Sequence, residues 1–361
     1  MKNKITCILS GAVVLTFSLL AIFLPKATFS ESERRVLATA PEFSAESVFS
    51  GEFASAFETY STDTFPFRDA FRRIKAYTSG YAFNLSDNNG LFLQSGHLSK
   101  VDYPLNTHML DHAASRFRFV YDTHIKGKSA SVYHAIIPDK NYYLDTLKYD
   151  YSALSRHMCE SLPEFRYIDL SDCLTLSDFY TTDSHWRQEK LGKVVGRLGG
   201  AMGINVDSKY EQNALDRPFY GVYVGQSALD VPPDTIKYLT SDTLDGCTVM
   251  RANDNTGILE EISMYDTEKA EGRDAYEMFL SGNSAVVTIL NPDSDGGRLI
   301  VFRDSFGSSL VPLLVPAYSE ICVFDLRYIS PAALGAYTTF ENADVLFIHN
   351  TTLLNSSLGI K

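Results

Sequence analysis

Two short segments carry side chains whose types and spacing suit nucleophilic chemistry: Thr182-Asp183-Ser184-His185-Trp186 and Arg303-Asp304-Ser305-Phe306. Asp183 and His185 are two residues apart, so in extended backbone both side chains point to the same side. A carboxylate there can hold the imidazole Nδ1–H while Nε2 faces a nucleophile, the logic of an orienting acid and a general base. Ser305 follows the β-type run Arg298 to Phe302 and precedes the helical segment Phe306 to Val315. Its hydroxyl would sit at a sharp strand-to-helix turn, beside free N–H groups able to stabilise an oxyanion. On spacing alone plainer readings stand beside these: Ser305 as a helix N-cap, and Asp183 with His185 as a polar cluster at a helix start. Metal binding by Asp183 and His185 is weaker still, because the sequence offers no third ligand.

The elements that must position these residues are strands alternating with helices. Ser131 to Ile137, Phe165 to Leu170, Ala285 to Leu290, Arg298 to Phe302, Ile321 to Leu326 and Val345 to His349 read as strands. Several are apolar on both faces, as in a parallel sheet covered by helices on each side. Tyr142 to Glu160, Arg187 to Met202, Phe306 to Val315 and Pro331 to Phe340 have helical character. The pattern predicts a three-layer α/β sandwich with a mainly parallel sheet. In such sheets ligands bind beyond the carboxyl ends of the strands. The residues expected at that edge are Pro138-Asp139-Lys140-Asn141, Arg303-Asp304-Ser305, Arg327-Tyr328 and Asn350-Thr351, with the Asp183–His185 segment at a comparable end. Residues 205–275 read as a loop-rich excursion. Tyr210, Phe219, Tyr220 and Tyr223 near its start suit either packing or sugar-facing rings.

Hydrophobic residues make up 45% and charged residues 21% of 361 positions, which excludes a wholly disordered chain. Asp and Glu number 44 against 32 Lys and Arg, a net charge of −12, so the basic footprint of a nucleic-acid binder is missing. The uncharged run Ile5 to Leu24 follows Lys2 and Lys4. At ~1.5 Å per residue it can cross a ~30 Å hydrocarbon core, with the preceding lysines on the cytoplasmic side. A cleaved signal peptide and a retained signal-anchor both fit; the length of the run and the lack of a clean small-residue cleavage site favour the anchor. The expected organisation is a membrane segment over 1–24, a stalk with an amphipathic helix (Val48 to Tyr60) over 25–60, and an α/β domain over 61–361. Cys159, Cys173, Cys247 and Cys322 lie in the exported part, and spacing leaves their pairing open.

Eight segments in order, SERRVLA (32–38), FPFRD (65–69), IIPDKNYY (136–143), TDSHW (182–186), FYG (219–221), FLSGN (279–283), FRDSFGSSLVPLL (302–314) and FDLRY (324–328), resemble the DHHW family. That family is similar to alginate O-acetyltransferase-like proteins, whose fold is a variant of the SGNH hydrolases. The resemblance implies Ser305 as nucleophile, His185 as general base and Asp183 as its orienter. Ser184 stands where the family's name has a second His, and Arg303-Asp304 precedes the serine where ordinary SGNH enzymes have Gly-Asp. Oxyanion donors are then expected from the Ser305 N–H and from Asn283 or Asn350; Lys140 and Arg327 suit a sugar or carboxylate, or a structural ion pair. The implied activity is an extracytoplasmic, membrane-anchored serine acyltransferase that O-acetylates a cell-surface polysaccharide without a cofactor, supplied by a polytopic membrane-bound O-acyltransferase. An acetylesterase of the same glycans, and a non-catalytic glycan-binding protein with this fold, are the alternatives.

Overall fold

The computed structural model describes residues 2–30, 32–79, 87–88, 90–206, 208–253 and 256–361. The chain divides into two compact units, Met1–Phe92 with Val222–Val231, and Leu93–Gly221 with Pro232–Lys361.

The first unit begins with helix α1, Lys2–Phe23, whose segment Lys4–Phe23 has a mean hydropathy of 2.4 and is 0% buried. It is long and apolar enough to cross a membrane, as an anchor or as a signal sequence. The amphipathic helix expected over Val48 to Tyr60 is two helices, Ala45–Ser50 and Glu52–Asp63. Gly51 adopts φ +84 between them, a left-handed cap that ends the first and redirects the second. Helix Arg68–Tyr77 follows. The first two family-like motifs meet here: Arg35 grips Asp63 through both oxygens, at 2.5 and 2.8 Å, and Arg68 reaches Glu33 at 2.6 Å. The Arg35 hydrogen bonds hold the Asp63 carboxyl at about 2, well below the usual carboxylate range.

The second unit is built on an eight-stranded sheet. Its strands are β1 (Ala130–Ile137), β2 (Arg166–Asp169), β3 (Thr248–Ala252), β4 (Leu259–Ile262), β5 (Val286–Leu290), β6 (Arg298–Arg303), β7 (Glu320–Phe324) and β8 (Ala343–Asn350). Their spatial order is β4-β3-β5-β7-β6-β8-β1-β2. From β7 to β2 every pairing is parallel, whereas β5 runs against β7 and β3, and β4 against β3. The sheet is therefore mainly parallel but mixed at one side. The alternation within each strand builds three layers. Leu299 and Val301 of β6 face a core shared with Leu191, Val194 and Leu198, while Ile300 and Phe302 face one shared with Leu110, Phe117, Leu154 and Met158. Those partners sit on helices α2 (Thr107–Val120), α3 (Tyr151–Ser161) and α4 (Gly192–Met202), or, for Leu191, just before α4.

Several expectations change. β5 is antiparallel because residues 291–297, between it and β6, are too few for the dozen-residue crossover that a parallel connection needs. The 205–275 region contributes β3 and β4 to the sheet edge; three of the four β4 residues are exposed, so apolar alternation could not announce it. The helix expected over Tyr142 to Glu160 starts only at Tyr151, where the Asp150 carboxylate accepts the Ser152 and Ala153 N–H groups. Lys140–Tyr143 before it forms a 3₁₀ turn. Phe306 to Val315 likewise shortens to a single α-turn, Gly307–Leu310, continuing as 3₁₀. Cys159, Cys173, Cys247 and Cys322 are unpaired, Cys173 and Cys322 buried.

Candidate active site

Ser305 stands one residue beyond Asp304 at the carboxyl end of β6, and the chain turns there into Gly307–Leu310. Asp304 fastens the turn. Its Oδ1 accepts the Phe306 N–H at 3.0 Å, and its Oδ2 accepts the Asn350 N–H at 2.6 Å from the end of neighbouring β8. Burial pushes the Asp304 carboxyl up; the two N–H donors and the Arg327 charge pull it back. Gly307 closes the turn tightly, since a Cβ there would come within 2.6 Å of the Arg303 Cβ. The Ser305 N–H donates to no protein acceptor among the described residues.

Asp183 and His185 lie on a loop without regular structure. Asp183 Oδ1 accepts both the His185 backbone N–H, at 3.1 Å, and its Nδ1–H, at 2.6 Å. With that proton held by the carboxylate, Nε2 is left as an acceptor, and it lies 2.8 Å from Ser305 Oγ. The expected trio is thus one hydrogen-bonded line, with Asp183 buried at 1% exposure and Ser305 half-buried. This arrangement lets the hydroxyl pass its proton to the imidazole.

Long-range contacts hold the loop in place. The Asp234 carboxylate accepts from Thr181 N–H (3.0 Å) and Oγ1–H (2.9 Å), Thr182 N–H (2.8 Å) and Oγ1–H (2.6 Å), and Arg187 (2.8 Å). Gly221 of the FYG motif donates its N–H to Thr182 Oγ1 at 2.9 Å, and a Cβ there would lie 2.4 Å from the Asp183 Cβ, so only glycine permits this approach. The Tyr276 ring lies flat on the His185 imidazole, 3.9 Å between centroids at 12°. Its hydroxyl is 2.8 Å from Ser309 Oγ, one turn beyond Ser305, and Ser309 also accepts the Trp186 Nε1–H at 2.9 Å. Base and nucleophile helix are therefore braced to each other.

The remaining candidates are placed differently. Lys140 is 2% exposed, and its Nζ donates to the carbonyls of Leu98 at 2.5 Å and Tyr180 at 2.8 Å. Burial pushes its ammonium down to about 7, against the pull of Asp183 and Asp234. It works beneath the loop, away from solvent. Arg327 forms a forked pair with buried Asp325, at 2.9 and 2.7 Å. Behind it Arg303, wholly buried, faces the same carboxylate at 3.5 Å. Asn350 is a helix N-cap: its Oδ1 accepts the Thr352 N–H at 2.9 Å and its Nδ2 donates to Ile137 O at 3.1 Å. Asn283 is exposed, with Nδ2 3.5 Å from Glu277 Oε1, and makes no hydrogen bond to the Ser305–His185–Asp183 line. Asp234 and Tyr276 escaped sequence reading because each is a single residue in an aperiodic stretch. Gly221 at least lay within a recognisable motif.

A mainly parallel sheet covered on both faces, with an Asp-x-His loop and a strand-to-helix serine converging at its carboxyl edge, is an SGNH hydrolase-like α/β architecture. Residues 147–324 match the family model described as DHHW protein, so the resemblance read from the motifs stands. Among solved structures, a DHHW family protein from Eubacterium siraeum DSM 15702 superposes with a TM-score of 0.62 at 19% identity, covering 76% of this chain and 95% of that one. Bacillus cereus PatB1 carrying a sulfonyl adduct gives 0.57 at 16% identity, covering 73% and 95%. A second structure of Bacillus cereus PatB1 gives 0.57 at 16% identity, covering 74% of this chain and 97% of that one. At such identities these likenesses speak for the fold alone. No curated protein matches the chain.

Proposed function

We propose that the chain is a membrane-anchored, extracytoplasmic serine acyltransferase that O-acetylates a cell-surface polysaccharide. The observation that carries this reading is the unbroken line from Asp183 through His185 to Ser305, at 2.6 and 2.8 Å. In the first half-reaction Ser305 Oγ attacks the acetyl carbonyl of the donor while His185 Nε2 takes its proton. The Ser305 N–H stabilises the oxyanion, a kind of contribution worth about 10²–10³ in rate. The tetrahedral adduct expels the donor's oxygen or sulfur, which leaves with the proton from His185. In the second half a sugar hydroxyl gives its proton to His185, attacks the acetyl-serine and leaves as the acetyl ester, and Oγ recovers the proton. Asp183 keeps the imidazole in the required tautomer throughout. A polytopic membrane-bound O-acyltransferase fits as the acyl supplier.

The full-length protein should turn over an activated acetyl ester, and a sulfonyl fluoride should label Ser305. Ser305→Ala should abolish both. His185→Ala should lower turnover by about 10³-fold or more, with an unchanged urea midpoint separating chemistry from folding. Labelling elsewhere, or full turnover by Ser305→Ala, would remove Ser305 as the nucleophile. Transfer and hydrolysis differ only in the acceptor. A deletion strain and a Ser305→Ala strain should both lose O-acetyl from an envelope glycan; a gain in both would assign an esterase, and no change in either a binding protein.

A further inference from the structure

We propose that the helices Ala45–Ser50, Glu52–Asp63 and Arg68–Tyr77 form a membrane-surface element whose aromatic face is seated in the lipid of the bilayer that α1 spans. The reading of α1 as a membrane span is its premise; the acyl-transfer chemistry is not.

Contact with α1 sets the depth. Phe17 stacks on Phe65, with 5.5 Å between centroids at 11°, and meets Phe71 edge-on at 5.7 Å. Val13 and Phe17 of α1 line one cleft together with Phe57 and Phe65. At ~1.5 Å per residue Phe17 lies about 9 Å, and Val13 about 15 Å, before the end of the helix at Phe23. With α1 inserted, rings packed on Phe17 lie about 9 Å below the level of Phe23. That is inside the hydrocarbon, and it matches the ~5–10 Å to which interfacial amphipathic helices sink.

The surface chemistry agrees. Phe43, Phe53 and Phe57 form a continuous row, with centroids 5.6 and 6.0 Å apart. Exposure reaches 78% at Phe43, 90% at Phe49, 62% at Phe67 and 60% at Ile74, far from the scattered single apolar residues of an ordinary water-facing surface. Lys26, just past α1, places its ammonium 5.3 Å from the Tyr60 ring centre, a lysine–tyrosine pair of the kind found at headgroup level. Over 45–77 Glu46, Glu52, Glu58, Asp63 and Asp69 offset Arg68, Arg72, Arg73 and Lys75, so net attraction to anionic lipid is not what holds the segment. Apolar burial is.

The chain's single Trp, Trp186, is 0% exposed and gives a fixed background for a fluorescence test. Full-length Leu19→Trp, Phe49→Trp and Phe57→Trp variants would be reconstituted in phosphatidylcholine vesicles, with and without acyl-chain bromination. The added emission of all three should be quenched by brominated lipid and protected from acrylamide. Quenching of Leu19→Trp alone, with Phe49→Trp and Phe57→Trp open to acrylamide, would overturn the proposal while leaving α1 inserted. Absence of bromine quenching in all three would overturn it together with its premise. Protection of Phe49→Trp and Phe57→Trp from both quenchers would assign the face to a protein partner instead.

Discussion

Ser305 stands on a turn that the sheet itself supplies. It follows β6 directly, and Asp304 ties the turn to the end of the next strand through the Asn350 N–H. Asp183 and His185 stand on a loop outside the sheet, closed at its base by a short Phe179–Trp186 bridge in which His185 O accepts the Tyr180 N–H at 3.1 Å. That loop depends on Asp234, 52 to 53 residues further along, on Gly221, and on the ring of Tyr276. Sheet register is shared among many backbone bonds and tolerates the loss of any one. The loop rests on a few buried polar side chains, where removing one partner strands several donors. The base side should therefore fail before the nucleophile side.

The sharpest test is Asp234→Ala. It leaves the Thr181 and Thr182 N–H groups and the Arg187 guanidinium without their acceptor, which should cost about 3–5 kcal/mol and lower turnover of an activated ester by about 10²-fold or more. Asp234→Asn, which keeps an acceptor, should fall between. Equal urea midpoints and equal turnover for wild type and Asp234→Ala would mean that the loop is held by something else.

A smaller effect separates the two ways in which Tyr276 braces the base. Tyr276→Phe keeps the stack on His185 and loses only the hydroxyl contact to Ser309, for about 1 kcal/mol of stability and a severalfold change in kcat. Tyr276→Leu loses the flat contact as well. Its kcat should drop by about 10- to 100-fold with KM nearly unchanged, because a base displaced by ~1 Å costs that much. Matching kcat values for the two variants would show that the stack contributes nothing to positioning.

The smallest effect is on pH dependence. Lys140 titrates near 7 when folded, depressed by burial, against ~10.4 in the unfolded chain. Between those values the unfolded state binds the extra proton, so stability rises with pH across the window. The gain is complete above pH ~10.4 and gone below about 7. Lys140→Met should flatten this rise in urea midpoints measured at pH 6.5, 8 and 9.5. The same slope in both proteins would mean that Lys140 stays charged under the loop.

Much of this was legible beforehand. Six strands, the layered α/β class and the edge where polar residues collect follow from runs such as Val345 to His349, in which four successive apolar residues repeat the same message. Spacing and strand-to-helix context left Asp183, His185 and Ser305 open to plainer readings as a helix-start cluster and an N-cap; the resemblance to the DHHW family is what singles them out together. Lys140 and Arg327 were less readable. A buried cation under a loop and a forked ion pair use the same residue types as a ligand clamp, and only burial and partners separate them.

Hydrophobic periodicity is local and redundant, so it suffices for six of the eight strands of the large sheet, for the place of the serine turn, and for the capacity of residues 4–23 to cross a bilayer. The direction of β5, the recruitment of β3 and β4, and the convergence of Asp234, Gly221 and Tyr276 on the Asp183–His185 loop were decided only in the tertiary structure. Each depends on contacts between segments tens of residues apart, made by single side chains with no period to advertise them. Their role exists only once chain closure has brought the partners to hydrogen-bonding distance and removed the water between them.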